Sequence, residues 1–284
     1  MPSFDTPEPI ASTFRVEAGS VRLIAAGRTE TLVEVSPRNP KKDADVRAAE
    51  QTRVSYTGGT LTVTTPKTNR LGLGRTGIVD VVCELPAGSQ AEVNGSWTEV
   101  RGEGRLGEVR VKTSTGDVHL DETGPLQLTV SHGNVTVDHV QGQATITTSS
   151  GGLRVGAVAG NAVLKNSHGA TNVGTVGGEL RVNGSNGDIL VERAEGSVTA
   201  ATAHGALRVA EVARGTVQLE TSYGGIEVGV RSGTAAWLDV SSERGLVHNA
   251  LTATEGPAPE DAGDTVEVRA RTRWGNIEIR RTRG

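Results

Sequence analysis

Glycine returns at a near-constant interval through the last two thirds of this chain, and no other feature limits its fold as severely. Taking the Gly of each Ser-x-Gly as a first column gives Thr98, Gly116, Gly133, Gly151, Gly169, Gly187, Gly205, Gly224, Arg244 and Gly275. The steps are 17 to 20 residues, most of them 18, until a last step of 31. A second column lies about nine residues on, at Gly107, Gly124, Gly142, Gly160, Gly178, Gly196, Gly215 and Gly233. Between the glycines apolar residues alternate, as in Val135/Val137, Leu153/Val155 and Ile189/Val191 after the first column. Leu126/Leu128, Leu180/Val182 and Val217/Leu219 follow the second. A period of two marks a strand with one buried face. Each unit is therefore two short strands and two Gly-marked turns.

A unit this small cannot bury its own apolar face, but stacked units share a continuous core. The repeat predicts an all-β, single-stranded parallel β-solenoid of about ten 18-residue coils, with two strands per coil. The crossover rule for parallel strands favours a right-handed coil. A triangular hexapeptide helix would need three equivalent apolar positions six apart, whereas two halves of nine are seen. Calcium-binding nonapeptide rolls would need an aspartate after each Gly, and only Asp117 and Asp188 stand there. The 38 glycines and only seven aromatic residues (two Phe, three Trp, two Tyr) imply a core of small and β-branched aliphatics.

Residues 1–90 do not follow the 18-residue rule and read as a β-rich N-terminal cap, with the solenoid over 91–284. SVRLIA (20–25) and TLVEVS (31–36) look like strands, KKDADVRAAEQT (41–52) like a short helix, and Gly58-Gly59 like a hairpin turn. The segment 249–264 reads as a solvated loop inserted before the last coil, whose basic tail would cap the stack.

Several stretches together resemble a known family: VEAGSVRLIA, VRAAEQTRVSY, the repeated SxGxVxV and the terminal VEVRARTRWGNIEIRR. They are similar to the bacterial β-strand-repeat family catalogued as a "putative adhesin" domain of unknown function, in particular to its actinobacterial, Streptomyces-type members. The resemblance implies the fold and carries no catalytic or binding residues.

The Ser-His pairs invite a catalytic reading, which the repeat argues against. The residue before the first-column Gly is His132, His168 or His204 on alternate coils, so these backbones stand about 9.6 Å apart, two ladder steps. Three such histidines cannot converge on one ion at the roughly 2.0–2.1 Å that ligation demands. Serine two before the Gly recurs at Ser96, Ser114, Ser131, Ser149, Ser167, Ser185, Ser222 and Ser242, a ladder where catalysis needs one activated nucleophile. A polysaccharide-cleaving site would want clustered carboxylates. The outward positions mix Arg101, His119, Thr136, Arg154, Asn172, Leu190, Arg208 and Glu227 instead. Arg101, Arg154 and Arg208 read as a solvated face, Trp97, Trp237 and Trp274 as seals near the ends, and Cys83 as inert core.

The expectation is a non-enzymatic β-solenoid scaffold or protein-interaction module with no catalytic, cofactor or metal residues. Its partner would be an unknown protein or a second copy of itself. Two alternatives remain open: a filament-forming, bactofilin-like solenoid, and a polysaccharide-binding or polysaccharide-active β-helix. A net charge of −4 with mixed signs argues against nucleic acid. A lone cysteine excludes an intrachain disulfide. No apolar run reaches the roughly 18 residues of a membrane span, and the N-terminus lacks the basic and apolar regions of a secretory signal. These features lead to the expectation of a cytoplasmic location.

Overall fold

The structure, a computed structural model, describes residues 2–66, 77–251 and 265–282. The described residues are all-β apart from one helix, and their parallel ladders form the β-solenoid that the repeat requires. Two compact units divide the chain, Met1–Gly142 and Gln143–Gly284.

The first unit opens with β1 (Ser3–Asp5), β2 (Ala11–Ala26), β3 (Glu30–Pro37) and helix α1 (Asp43–Gln51). Next come β4 (Arg53–Thr57), β5 (Thr60–Thr64), β6 (Val79–Pro86) and β7 (Gln90–Arg105). Its repeat coils are β8 (Val109–Thr115), β9 (Val118–Thr123), β10 (Leu126–His132) and β11 (Val135–Val140). The 16-residue β2 and β7 run parallel from Ala11 against Gln90 to Ala25 against Gly104, so the ladder begins well ahead of residue 91. On the other side of β2, β5 and β6 are also parallel, and β4 and β3 then add antiparallel strands. The hairpin joining β4 to β5 turns on Gly58 and Gly59, both at positive φ, as the sequence predicts. Helix α1 falls inside the predicted segment. Its buried Asp45 accepts the backbone N–H groups of Asn39 and Ile78, tying the helix to the start of β6.

In the second unit the first strand of each coil is β12 (Ala144–Ser150), β14 (Ala162–His168), β16 (Leu180–Asn186), β18 (Val198–His204) or β20 (Gly215–Tyr223). The second strands are β13 (Leu153–Val158), β15 (Thr171–Val176), β17 (Ile189–Ala194), β19 (Leu207–Val212) and β21 (Ile226–Arg231). Each pairs in parallel with its counterpart one coil on. Alternate residues point inward and are almost fully buried: Leu164, Val182, Val191, Val209 and Leu219 among them.

The turn explains the glycine column. Gly169 has φ +132°, and a Cβ there would lie 2.1 Å from the carbonyl oxygen of Gly151. Its amide meanwhile donates to Asn186 O at 2.9 Å. Coils stacked at ladder spacing leave no room for a side chain at that corner, so each carbonyl occupies the space where the next Cβ would stand.

After β21 the chain departs from sequence order. β22 (Ala235–Arg244) and β23 (Val247–Asn249) come next in the chain, followed by β24 (Thr265–Trp274) and β25 (Ile277–Thr282). Yet β20 pairs with β24, and β24 then pairs with β22; likewise β21 pairs with β25 and β25 with β23. The last coil of the chain is thus inserted between the two before it. The expectation that a basic tail caps the stack is corrected accordingly. Arg280 pairs with Glu227 at 2.7 Å, and Arg281 donates to the carbonyls of Arg231 and Thr234 in the crossing turn.

The same insertion corrects the glycine column. Gly245, not Arg244, is its member in this coil, since a Cβ there would stand 1.9 Å from Gly275 O. Gly233 and Gly245 are 12 residues apart where other coils use nine. Three extra residues extend up to about 10 Å, enough to climb one additional rung of about 4.8 Å. The segment 249–264 read as a loop lies, from residue 252 on, outside the described residues.

Candidate interaction edge

The β22–β23 coil is unlike every coil beneath it. Ala236, Leu238 and Val240 occupy the inward register of Val266, Val268 and Ala270, yet they are half-buried where those three are fully buried. Among the described residues β22 pairs on one side only, with β24, and β23 only with β25. A ten-residue strand therefore presents N–H and C=O groups along its outer edge with no strand, among the described residues, against them. Around it stand Trp237, Leu246 and Val247, with 55%, 75% and 43% of their surface exposed. An exposed strand edge flanked by large apolar groups is a template for another strand.

Beside the edge runs a stacked column. His204 lies on Tyr223 with centroids 5.0 Å apart, Tyr223 on Trp274 at 6.3 Å, and the Arg244 guanidinium 4.4 Å over the Trp274 ring. The order 204, 223, 274, 244 is the spatial order of the inserted coil. Both faces of Tyr223 and of Trp274 are covered by neighbours, so neither ring offers a free face to a sugar. The three tryptophans do not seal ends: Trp97, Trp237 and Trp274 are all exposed.

The residues singled out by sequence stay apart. His168 and His204 are separated by the Asn186 rung, and His168 Nδ1 faces the backbone carbonyl of Ser149 at 3.3 Å. Arg101 pairs with Glu103 at 2.8 Å and Arg208 with Glu227 at 3.2 Å, so these arginines face carboxylates already in place. Glu103 is also gripped by Arg22, whose hydrogen bond holds its carboxyl below the usual carboxylate range. Cys83 is fully buried, and burial pushes its thiol up to about 12. It cannot supply a thiolate near neutral pH.

Two features escaped the sequence reading. Three before the turn glycine most coils carry an inward polar residue: Thr113, Thr148, Asn166, Thr202, Thr221 and Thr272 are all buried, while Val130 and Gly184 take the place in two others. From Thr221, Thr272 and Asn166 the side chain donates to a glycine carbonyl of the neighbouring coil, Gly205 (3.1 Å), Gly224 (3.0 Å) and Gly151 (3.1 Å), whereas Thr113 and Thr202 bond the carbonyls of Thr115 and His204 in their own strands. Ser242 belongs to this column and bonds Gly275 O at 2.8 Å. That moves it out of the serine ladder. The second feature is a trio, His119 and Asp121 on β9 with Asp138 on β11, whose ligating atoms lie within 4.8 Å of one another. Asp138 follows Asp121 by 17 residues, the length of that coil, so a search at one-coil offset would find it. The trio sits on the outer surface beside the Arg101–Glu103 pair, and we read it as charged surface.

Comparison with known proteins places this architecture. The family model described as Toastrack DUF4097 matches residues 13–280. The chain belongs to the Toastrack family. No curated protein matches it. Among solved structures, a "putative adhesin" from Bacteroides fragilis NCTC 9343 is 13% identical, with 98% of this chain and 95% of that one covered and a TM-score of 0.38. A "putative lipid binding protein" from Parabacteroides distasonis ATCC 8503 is also 13% identical, with coverages of 99% and 96% and a TM-score of 0.45. A "putative adhesin" from Parabacteroides merdae ATCC 43184 is 13% identical, with coverages of 98% and 94% and a TM-score of 0.34. No helix among the described residues of this Toastrack chain is long and apolar enough to cross a membrane.

Proposed function

We propose that this Toastrack chain is a non-enzymatic scaffold that binds protein by strand addition at the β22–β23 edge. The observation that carries the reading is the ten-residue β22, paired on one side only among the described residues and bordered by exposed Trp237, Leu246 and Val247. In strand addition, main-chain hydrogen bonds hold the partner and side-chain positions along the edge select it. The rest of the coil stack supplies rigidity. The filament reading is disfavoured by the outer edges of the first unit, because β1 and β4 are only three and five residues long and, among the described residues, β3 pairs on one side only from Val33 to Pro37. The polysaccharide reading is disfavoured by the covered faces of Tyr223 and Trp274.

On this reading the chain uses no cofactor or metal and works in the cytoplasm. Capture from the native cell with wild type and with Leu246→Asp tests the edge. Specific partners should be lost from the variant while its circular dichroism is unchanged. Identical capture by both would sink the proposal.

A further inference from the structure

We propose that the strand which fills the β22 edge is β22 of a second copy, joining two chains tail to tail about a two-fold axis. The inference rests on the strand-addition reading and names its partner. An open ladder edge needs a strand, because only a backbone offers a matching row of donors and acceptors. A two-fold pairing sets β22 antiparallel to its mate, and residues of one face must then meet residues of the same face.

With Leu238 at the axis, Leu238 faces the partner's Leu238 and Ala236 faces the partner's Val240. Small meets large, and the inward face stays apolar. On the outer face Trp237 meets the partner's Asp239, an indole N–H donor opposite a carboxylate, and Ala235 meets the partner's Ser241. No like charges stand opposite each other in this register. Shifting it by one step of two, to an axis on Asp239, sets two carboxylates face to face, which cross-strand pairing disfavours. The charge of the edge coil also permits the approach. Asp239 already engages Arg271 at 3.3 Å, and Arg244 lies over Trp274.

The joint closes rather than propagates. A head-to-tail filament would need a second long edge to receive the ten-residue β22, and the first unit's outer edges are short: β1 (Ser3–Asp5), β4 (Arg53–Thr57) and the Val33–Pro37 stretch of β3 beyond β1. An isologous contact uses one patch twice and stops at two chains.

Sedimentation equilibrium with light scattering on the full chain, from 1 to 100 μM (an order-of-magnitude range suited to standard-sized interfaces), should show a species of twice 29.4 kDa. Trp237→Glu places a carboxylate against the partner's Asp239 and should weaken association at least about tenfold, with circular dichroism and the urea midpoint of the monomer unchanged. The double variant Trp237→Glu/Asp239→Lys makes those positions complementary again and should restore association, which a mere loss of packing would not do. A chain that is monomeric throughout overturns the second-copy proposal, as does a dimer indifferent to Trp237→Glu. Strand addition itself would survive a monomer whose captured partner is lost on Leu246→Asp, so the two failures are distinguishable.

Discussion

The insertion of β24–β25 beneath β22–β23 makes a prediction that stacking in chain order reverses. Val268 and Leu238 occupy the same inward register on adjacent strands. Val268 is fully buried, whereas Leu238 is only half-buried. Val268→Ala removes two carbons worth about 0.8 kcal/mol each. The enclosed cavity of about 40 Å³ adds about 1 kcal/mol at 24 cal/mol per Å³. The expected loss is about 2.5 kcal/mol. Leu238→Ala removes three carbons that are half covered, or about 1.2 kcal/mol, and leaves a notch open to water in place of a cavity. In chain order Leu238 would be interior, with a cost of about 3–5 kcal/mol, and Val268 would lie at the end with about 1 kcal/mol. Urea unfolding at protein concentrations below association ranks the two variants by midpoint. Amide exchange adds a local readout, because β24 should be more protected than β22. A larger loss for Leu238→Ala, or faster exchange in β24 than in β22, would falsify the inserted order.

Two further tests address the turn and the charged rungs. Gly169→Val should cost about 2–5 kcal/mol, combining a side chain at φ +132° with a Cβ pressed on Gly151 O. His168→Ala beside it should stay within about 0.5 kcal/mol, and the opposite ranking in urea midpoints would mean the column is misread. For pH, the Arg231 hydrogen bond holds the Glu211 carboxyl below its usual range, with Arg193 adding attraction. A depressed folded value contributes stability above the unfolded value of about 4.3, and that stability disappears as pH falls through the folded value. Glu211→Gln should therefore lower the urea midpoint at pH 6, and its difference from wild type should shrink as pH falls below about 4.3. A difference that persists at the acid end points to packing instead.

Most of the coil architecture is legible in the sequence because glycine and inward aliphatics are local demands repeated many times. Gly169 must be glycine whatever its coil number, and Val182 or Leu164 must be apolar wherever the coil stacks. What is illegible is order, since β20 accepts either β22 or β24 by the period-two rule alone. The interaction edge depends on that order and is illegible for the same reason. Counting by interval placed Arg244 in the glycine column, when a longer crossing had shifted the register by one residue to Gly245. The inward threonines were hidden by the search for apolar alternation, although the hydroxyls of Thr221 and Thr272 answer a need the turn itself creates, a donor for the glycine carbonyl.

One residue shows why the chain adopts the inserted order. Ile279 and Asn249 are register partners, both in the inward position four after the turn glycine. In the second unit the other coils place Val155, Val173, Val191, Val209 and Val228 there. Stacking in chain order would sandwich Asn249 between two coils and leave Ile279 on the end. Burying that amide without a partner costs about 1–3 kcal/mol, and exposing the isoleucine forfeits about 1.5–3 kcal/mol more. The inserted order instead buries Ile279 completely and leaves Asn249 exposed, where its Oδ1 accepts the Leu251 N–H at 2.9 Å and closes a turn. A preference of roughly 3–5 kcal/mol from a single position is enough to choose between two threadings whose other contacts are nearly equivalent. It also commits β22–β23 to the outermost place in this chain's own stack. Asn249→Val should erode that choice. If exchange protection of β24 over β22 were unchanged in this variant, the asparagine would not be what sets the order.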